Sequence, residues 1–244
     1  GKPQPGYALK FGPNITEWPK IPALSDNLLM QVASVLRDPV TTTDELIPSG
    51  ETSSYRSNPL KLATFALSRR DPEYVTRANA TKALEAARAD GLVPPELETV
   101  LSKLGLSRED AKTMQLGSVI FANKPGDGSA REQAASCQRV LGGCANICYE
   151  FATKRYRSNC VNWGMLPFTL DKDAEFPLAP GDFLYVPDVK RKVMAGDEVF
   201  PAKALRADGS TVDLTLYLKN TSAEERELLL RGCLMNHYAA QNRE

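Results

Sequence analysis

One unit of strand, glycine turn and helix constrains the fold of this chain more than any other feature. The apolar residues 119–122 predict a buried strand, and the glycine-rich residues 126–129 predict a tight turn. A helix is predicted from about 130 to 140. Because a second short strand (145–149) and a second helix (151–162) follow in the same order, the sequence predicts a mixed α/β fold.

The remainder of the chain divides into three parts. Residues 1–27 contain five prolines and few periodic apolar residues, which is typical of an extended arm or linker. One domain is predicted over 28–244, with a helical insertion at about 71–114. The other predicted elements are a strand over 28–36, a helix from Asn58 to about 70, a strand over 183–186, a hairpin of 202–206 and 211–218 around Asp208-Gly209, and a final helix from Thr221 to about 241.

Composition excludes several classes of protein. The 30 basic and 30 acidic side chains give a net charge of zero, which argues against a polycation that acts on nucleic acid or on anionic lipid. No run of 18 apolar residues predicts a membrane-spanning helix. The chain begins with Gly and lacks the apolar segment of a signal peptide, so we expect a cytoplasmic location and a piece of a longer protein.

Histidine and cysteine usage restricts the possible chemistry further. A single histidine, His237, excludes zinc sites that need two, and a serine or cysteine hydrolase would have to use it as the base. The five cysteines include no C-x-x-C pair, which fits a reduced, cytosolic type of protein. Cys144 and Cys148 can be interpreted as a ligand pair or, more simply, as small core residues.

The glycine turn is the best candidate for a binding site. Glycines allow close approach to a ligand, and the first N–H groups of the following helix favour an anion. Arg131 adds a bidentate donor, and the same field favours the alkoxide of Ser129. Two simpler interpretations stay open: Ser129 can be a helix N-cap worth about 1 kcal/mol, and Arg131 can form only a salt bridge.

The same residues carry a family resemblance. Residues 126–135 are similar to G-x-G-S-S-R-E-H-A-A, a motif of the aconitase family. Further motifs occur in the family's order. The family pattern D-x-I-T-T-D-x-I-x-x-x-G resembles the segment from Asp38 to Asp44 with Gly50, and the pattern L-R-S-N resembles Tyr55-Arg56-Ser57-Asn58. The pattern L-G…S-F-A…N…G-x-L-P resembles Leu141-Gly142, Phe151-Ala152, Asn159 and Gly164-Met165-Leu166-Pro167. The resemblance therefore extends over about residues 5–240.

This resemblance implies a three-layer β/β/α swivelling domain, of the type found at the aconitase C-terminus and in the isopropylmalate dehydratase small subunit. It implies a hydro-lyase that reversibly dehydrates a hydroxy di- or tricarboxylic acid at a [4Fe–4S] cluster. The cluster would lie on N-terminal domains of the same protein, so this chain would hold no metal and would be inactive alone. Ser129 matches the catalytic serine; the implied substrate contacts are Arg56, Ser57, Gly128, Ala130 and Arg131, with support from Asp44, Glu132 and Gln133.

Three departures from the family motifs leave an alternative open. Ala130 stands in place of a second serine, and Gln133 and Glu45 stand in place of histidines. A non-catalytic or RNA-binding regulatory member of the family is therefore the alternative hypothesis. Its only basis for nucleic acid is two short basic clusters, 154–157 and 190–192, which we interpret as solvated faces.

Overall fold

The computed structural model of the chain describes residues 2, 4–8 and 10–241. In chain order its strands are β1 (Asn27–Leu36), β2 (Thr41–Thr42), β3 (Met114–Ala122), β4 (Pro125–Asp127), β5 (Gly143–Cys148), β6 (Leu166–Thr169), β7 (Phe183–Val186), β8 (Val199–Leu205) and β9 (Thr211–Tyr217). Its helices are α1 (Thr43–Leu46), α2 (Pro59–Ala63), α3 (Tyr74–Ala89), α4 (Pro95–Leu104), α5 (Asp110–Thr113), α6 (Arg131–Val140), α7 (Lys154–Asn162), α8 (Val189–Ala195), α9 (Ala223–Arg231) and α10 (Leu234–Gln241), and a 3₁₀ turn covers Ser53–Tyr55.

Seven strands form one closed barrel in the order β1-β3-β5-β6-β9-β8-β7. The first four are parallel neighbours, and β7, β8 and β9 complete the barrel by antiparallel pairing. The short strands β2 and β4 pair separately, in parallel. The predicted mixed α/β class is confirmed, whereas the three-layer β/β/α description is not confirmed.

The core has three parts, because apolar side chains fill the barrel and also cover its outside. Aromatic rings lie within the barrel, among them Phe121 stacked on Phe176 at 4.2 Å between ring centroids. A second cluster joins the helices α2, α3, α6 and α7 to the outer faces of β1 and β3. A third cluster lies under α4. Strand β3 is buried along its whole length because both of its faces are covered.

Strand β3 begins five residues before the predicted apolar run at 119–122, because Gln115, Gly117 and Ser118 interrupt the apolar residues at its start. Gly117 is needed for close packing: a Cβ there would lie 2.5 Å from Cys144 Sγ on β5. A tertiary contact therefore explains the residue that weakens the sequence pattern.

Two predicted helices are shorter than expected. The helix that starts at Asn58 ends at Ala63, and the chain then turns through Leu67, which has a φ of 55°. The final helix breaks at Gly232, whose φ is +90° and where a Cβ would lie 2.1 Å from Pro22 O. The short elements β2, β6 and α8 were not predicted, since segments of two to seven residues carry almost no periodic signal.

The later part of the predicted arm packs against the rest of the domain. Trp18 packs on Trp163 with 4.5 Å between ring centroids, and Leu24 N donates to Leu230 O at 3.1 Å. Residues 1, 3 and 9 of the predicted arm lie outside the described residues. Helices α3, α4 and α5 occupy the segment predicted as an insertion, and the domain boundaries themselves stay a prediction. In the part of the chain that is described, no helix has the length and apolar character needed to cross a membrane.

Candidate functional site

Two glycines shape the turn after β3, and each has a backbone conformation or a neighbour that a side chain would not tolerate. Gly126 has a φ of +96°, and a Cβ there would lie 2.3 Å from the ring of Tyr156. Gly128 has a φ of +130°, and its Cβ would lie 2.3 Å from Thr43 Oγ1. The parallel pairing of β2 with β4 brings α1 to this turn. The turn is therefore packed tightly between α1 and α7.

Ser129 follows this turn with an exposed side chain. It is not the N-cap of α6: that position is Ala130, and no side chain caps the helix. The interpretation of Ser129 as an N-cap is therefore wrong. Within the described residues its hydroxyl makes no hydrogen bond, and the first N–H groups of α6 have no side-chain acceptor. A free hydroxyl thus lies beside an open helix N-terminus.

Helix α7 begins beside the same turn because Thr153 joins the two. Its hydroxyl donates to Gly126 O at 3.0 Å and accepts from Tyr156 N at 3.2 Å. Between α6 and α7 lies an open groove of about 440 Å³. Its lining residues are Ser129, Arg131, Glu132, Lys154, Arg155, Ser158 and Asn159.

The groove is cationic. It contains Arg131, Lys154 and Arg155 against one carboxylate, Glu132, which accepts from Trp163 Nε1 at 3.0 Å. Lys154 and Arg155 lie in the first turn of α7, which has no acidic residue. Positive side chains at a helix N-terminus oppose the helix dipole, so an anion in the groove would relieve this repulsion. The arrangement can bind a carboxylate beside the Ser129 hydroxyl.

Arg131 is half-buried and donates from Nη1 to Gly128 O. This contact uses one of the five N–H groups of the guanidinium, so the others are available to a ligand in the groove. Gly128 and Ala130 lie in the turn itself, on either side of Ser129, where their backbone forms the edge of the site.

Arg56 and Ser57 do not line the groove. Both are exposed and lie between the 3₁₀ turn and α2, whose N-cap Asn58 accepts from Lys61 N at 3.0 Å. Helix α2 packs on α6, so Arg56 is on a neighbouring element. In the part of the chain that the structure describes, Arg56 has neither an ion pair nor a side-chain hydrogen bond.

The predicted supporting residues have separate surroundings. Asp44 forms an exposed ion pair with Arg69, which also contacts Glu51 at 2.6 Å. Glu132 lines the groove, whereas Gln133 does not, and the half-buried side chain of Gln133 makes no hydrogen bond to any described residue. The structure therefore brings together Ser129, Arg131 and Glu132, and leaves Asp44 in a surface ion pair.

The sequence analysis missed Lys154 and Arg155, which it placed on a solvated face. One feature of the sequence could have indicated their position. Both residues begin a helix that follows a predicted strand, and because that strand is parallel to β3, this helix starts at the same edge of the sheet as α6. The third basic residue of that cluster differs, since Arg157 bonds Glu225 at 2.7 Å. In the cluster 190–192, each side chain pairs with an aspartate: Asp26, Asp188 or Asp197.

The cysteines and the histidine take no part in the groove. All five thiols are buried, so the interpretation of Cys144 and Cys148 as core residues is confirmed. Burial raises the pKa of Cys144 and of Cys160 to about 12. His237 lies on α10 and contacts Gln241 at 3.0 Å. No three His, Cys, Asp or Glu side chains within the described ranges form a group that could hold a metal, so these residues do not fit an iron–sulfur cluster.

Comparisons with known proteins give one sequence family. The family model of the aconitase C-terminal domain matches residues 78–173. None of the curated proteins matches the chain. Among solved structures, the 3-isopropylmalate dehydratase (leuD) of Methanocaldococcus jannaschii is similar at 18% identity and a TM-score of 0.49, over 88% of this chain and 95% of that chain. Because the matched segment contains the glycine turn, Ser129, Arg131 and the start of α7, the resemblance to the aconitase family seen in the motifs is confirmed over residues 78–173.

Proposed function

We propose that this chain is the swivelling domain of an aconitase-like hydro-lyase. Its groove binds a hydroxy di- or tricarboxylic acid, and the enzyme reversibly removes water from that acid. The observation that carries the proposal is the Ser129 hydroxyl, which has no partner among the described residues, in a groove with three cationic side chains, within a segment that matches the aconitase C-terminal domain.

Ser129 is the proposed base. The open N-terminus of α6 and the cations of the groove favour its alkoxide, which takes the proton from the carbon next to a substrate carboxylate. Negative charge then develops on that carboxylate and is used to form the double bond as hydroxide leaves the neighbouring carbon. The cluster, when bound, would supply the Lewis acid that accepts this hydroxide. Arg131 binds the carboxylate with the N–H groups that Gly128 leaves free, and so stabilises the transition state more than the ground state.

The remaining substrate contacts are assigned by charge. Lys154 and Arg155 bind a second carboxylate from the α7 side of the groove. Arg56, which is exposed and unpaired among the described residues, binds a carboxylate once another domain closes over this surface. Ser57, which is next to Arg56, is assigned to the same closed state, and the backbone of Gly128 and Ala130 borders Ser129; Asp44, Glu132 and Gln133 stay the proposed supporting residues.

We assign the expected [4Fe–4S] cluster to N-terminal domains of the same protein, as the family resemblance implies; the described residues provide no ligand set for it. We accordingly expect the isolated 244-residue chain to stay colourless after anaerobic incubation with iron and sulfide. A brown sample with stoichiometric iron would contradict this assignment. The isolated chain is also expected to have no hydro-lyase activity.

The test of function uses the full-length protein, reconstituted anaerobically. The absorbance of an unsaturated product is followed with citrate, isocitrate, methylcitrate and isopropylmalate. Ser129→Ala should lower kcat by roughly 10²- to 10⁴-fold. Ser158→Ala removes a hydroxyl from the same groove and should change kcat little. Equal kcat values for wild type and Ser129→Ala would exclude Ser129 as the base.

A second candidate is a non-catalytic partner domain. Ala130 favours it, because the family motif has a hydroxyl at this N-cap and the helix here has none. In that case the full-length protein with a loaded cluster would turn over none of the four acids. Binding of a stem-loop RNA that weakens with salt would then identify a regulatory member of the family.

A further inference from the structure

Arg139 is a buried arginine that has no carboxylate partner among the described residues. It lies in the last turn of α6 and is only 6% exposed. Its Nη1 donates to Gly143 O at 3.0 Å and its Nη2 to Pro22 O at 3.3 Å. Its Nε is buried and has no acceptor among the described residues. A buried guanidinium in this state is costly, because its charge has lost water and gained no counter-charge.

A cavity of about 120 Å³ lies beside Arg139. The arm covers it with Pro19, Lys20 and Pro22, and Lys82 and Gln115 line its other sides. Since Pro22 both lines the cavity and accepts from Nη2, the guanidinium is at the cavity wall. The cavity has room for several water-sized groups and therefore for a tetrahedral oxyanion.

The charge and hydrogen-bonding groups of this cavity favour an anion. Its lining contains three cationic residues, Lys20, Lys82 and Arg139, and one carboxylate, Glu85. Glu85 is already occupied, because it pairs with Arg88 at 2.7 Å and accepts from Leu116 N at 2.8 Å. Gln115 is 5% exposed, and its amide has no hydrogen-bond partner among the described residues. Lys82 Nζ donates to Val140 O at 2.9 Å and keeps two further N–H groups, whereas Arg139 Nε and the Gln115 amide have no acceptor among the described residues.

We propose that this cavity binds a small inorganic oxyanion of the phosphate or sulfate class. Arg139, Lys82 and the Gln115 amide donate to it, and the arm closes over it. An oxyanion suits this site better than chloride, because the N–H groups of Arg139 that Gly143 O and Pro22 O do not use, the Lys82 ammonium and the Gln115 amide can donate to separate oxygens. The bound anion would hold the arm against the barrel, since Pro19, Lys20 and Pro22 form one wall of the site.

The site is separate from the groove at Ser129. Arg131 and Arg139 are at opposite ends of α6, roughly 12 Å apart along the helix axis. The cavity therefore does not depend on the proposed hydro-lyase function, and occupancy of one site can be tested without the other.

The test measures thermal unfolding of the 244-residue chain in increasing inorganic phosphate, at constant ionic strength. Wild type should gain about 3–6 °C in Tm at about ten times the Kd. Arg139→Met, which keeps most of the volume and removes the charge, should show only the general stabilisation by phosphate as an excluded salt. Lys172→Gln, an exposed cation outside the cavity, should behave as wild type.

Parallel titrations with sulfate and with chloride identify the anion class: sulfate should reproduce the phosphate effect and chloride should not. If Arg139→Met fails to fold, Lys82→Gln tests the cavity instead, because Lys82 is exposed and its replacement should not disturb folding. Loss of this cation should raise the phosphate Kd severalfold. Equal phosphate shifts in wild type and in the folded cavity variant would overturn the proposal, as would a chloride effect equal to that of phosphate.

Discussion

Gly126 packs directly against the ring of Tyr156, and this contact joins the turn of the site to α7. A Cβ on Gly126 would lie within 2.3 Å of two ring carbons of Tyr156. The ring cannot move away, because its hydroxyl accepts from Gln138 Nε2 at 2.9 Å and donates to Asn146 Oδ1 at 2.7 Å. The position of Ser129 therefore depends on a buried tyrosine in the next helix.

Gly126→Ala should destabilise the domain by at least about 2 kcal/mol, since it combines a positive φ with a steric clash. Gly181→Ala is the matched control: Gly181 has a φ of +100° and no neighbouring atom within 4 Å. This variant should lower the free energy of unfolding by only about 1 kcal/mol, the cost of placing an alanine at a positive φ. Urea unfolding of both variants measures the difference, and equal losses would show that the Tyr156 contact is unimportant.

Tyr156→Phe should cost about 1–3 kcal/mol, because it leaves two buried amides short of a partner. Asn146 Nδ2 donates to Gln138 Oε1 at 2.8 Å, so the three side chains form a closed ring of hydrogen bonds. Tyr217→Phe serves as the control. Its exposed hydroxyl donates to Asp171 at 2.9 Å, and its loss should change the free energy of unfolding by less than about 0.5 kcal/mol. Similar values for the two variants would contradict the role of the ring.

Lys154→Gln and Arg155→Gln should each raise the KM of the full-length enzyme for its acid by roughly tenfold and change kcat little. The reason is that both cations bind a carboxylate in the ground state and in the transition state. Arg157→Gln, in the same helix, removes the ion pair with Glu225 and should lower stability without changing KM. An unchanged KM in both groove variants would remove α7 from the substrate site.

Stability should fall as pH rises above about 9. Burial raises the pKa of Cys144 and of Cys160 from 9.0 to about 12, so the unfolded state loses these protons first. Stabilisation is complete below the unfolded pKa and is lost progressively between about pH 9 and 12. Each thiol should lower the free energy of unfolding by about 1.4 kcal/mol at about pH 10, relative to its value below pH 9.

Urea unfolding in reductant at about pH 8 and 10 measures this loss. Replacing both thiols, Cys144→Ala with Cys160→Ala, should make the pH dependence shallower whatever the variant costs in absolute stability. The same dependence in wild type and in the double variant would show that these thiols do not control the alkaline loss.

Much of the fold could be predicted because local patterns specify it. The start of β1, the helices α3, α4 and α6, and the hairpin of β8 and β9 all carry apolar periodicity or strong turn residues. Elements such as β6 and α8 were missed, because they exist through pairing and packing with distant segments.

For the candidate site, the amino-acid sequence by itself determined the glycine turn, Ser129 and Arg131, because conformational freedom and the start of a helix are local properties. Only the tertiary structure decided which residues share the groove and which do not. It brought Lys154 and Arg155 to Ser129, kept Arg56 on a separate element, and buried Arg139 beside a cavity under the arm. The physical reason is that charge, exposure and distance depend on how strands and helices far apart in the chain pack together.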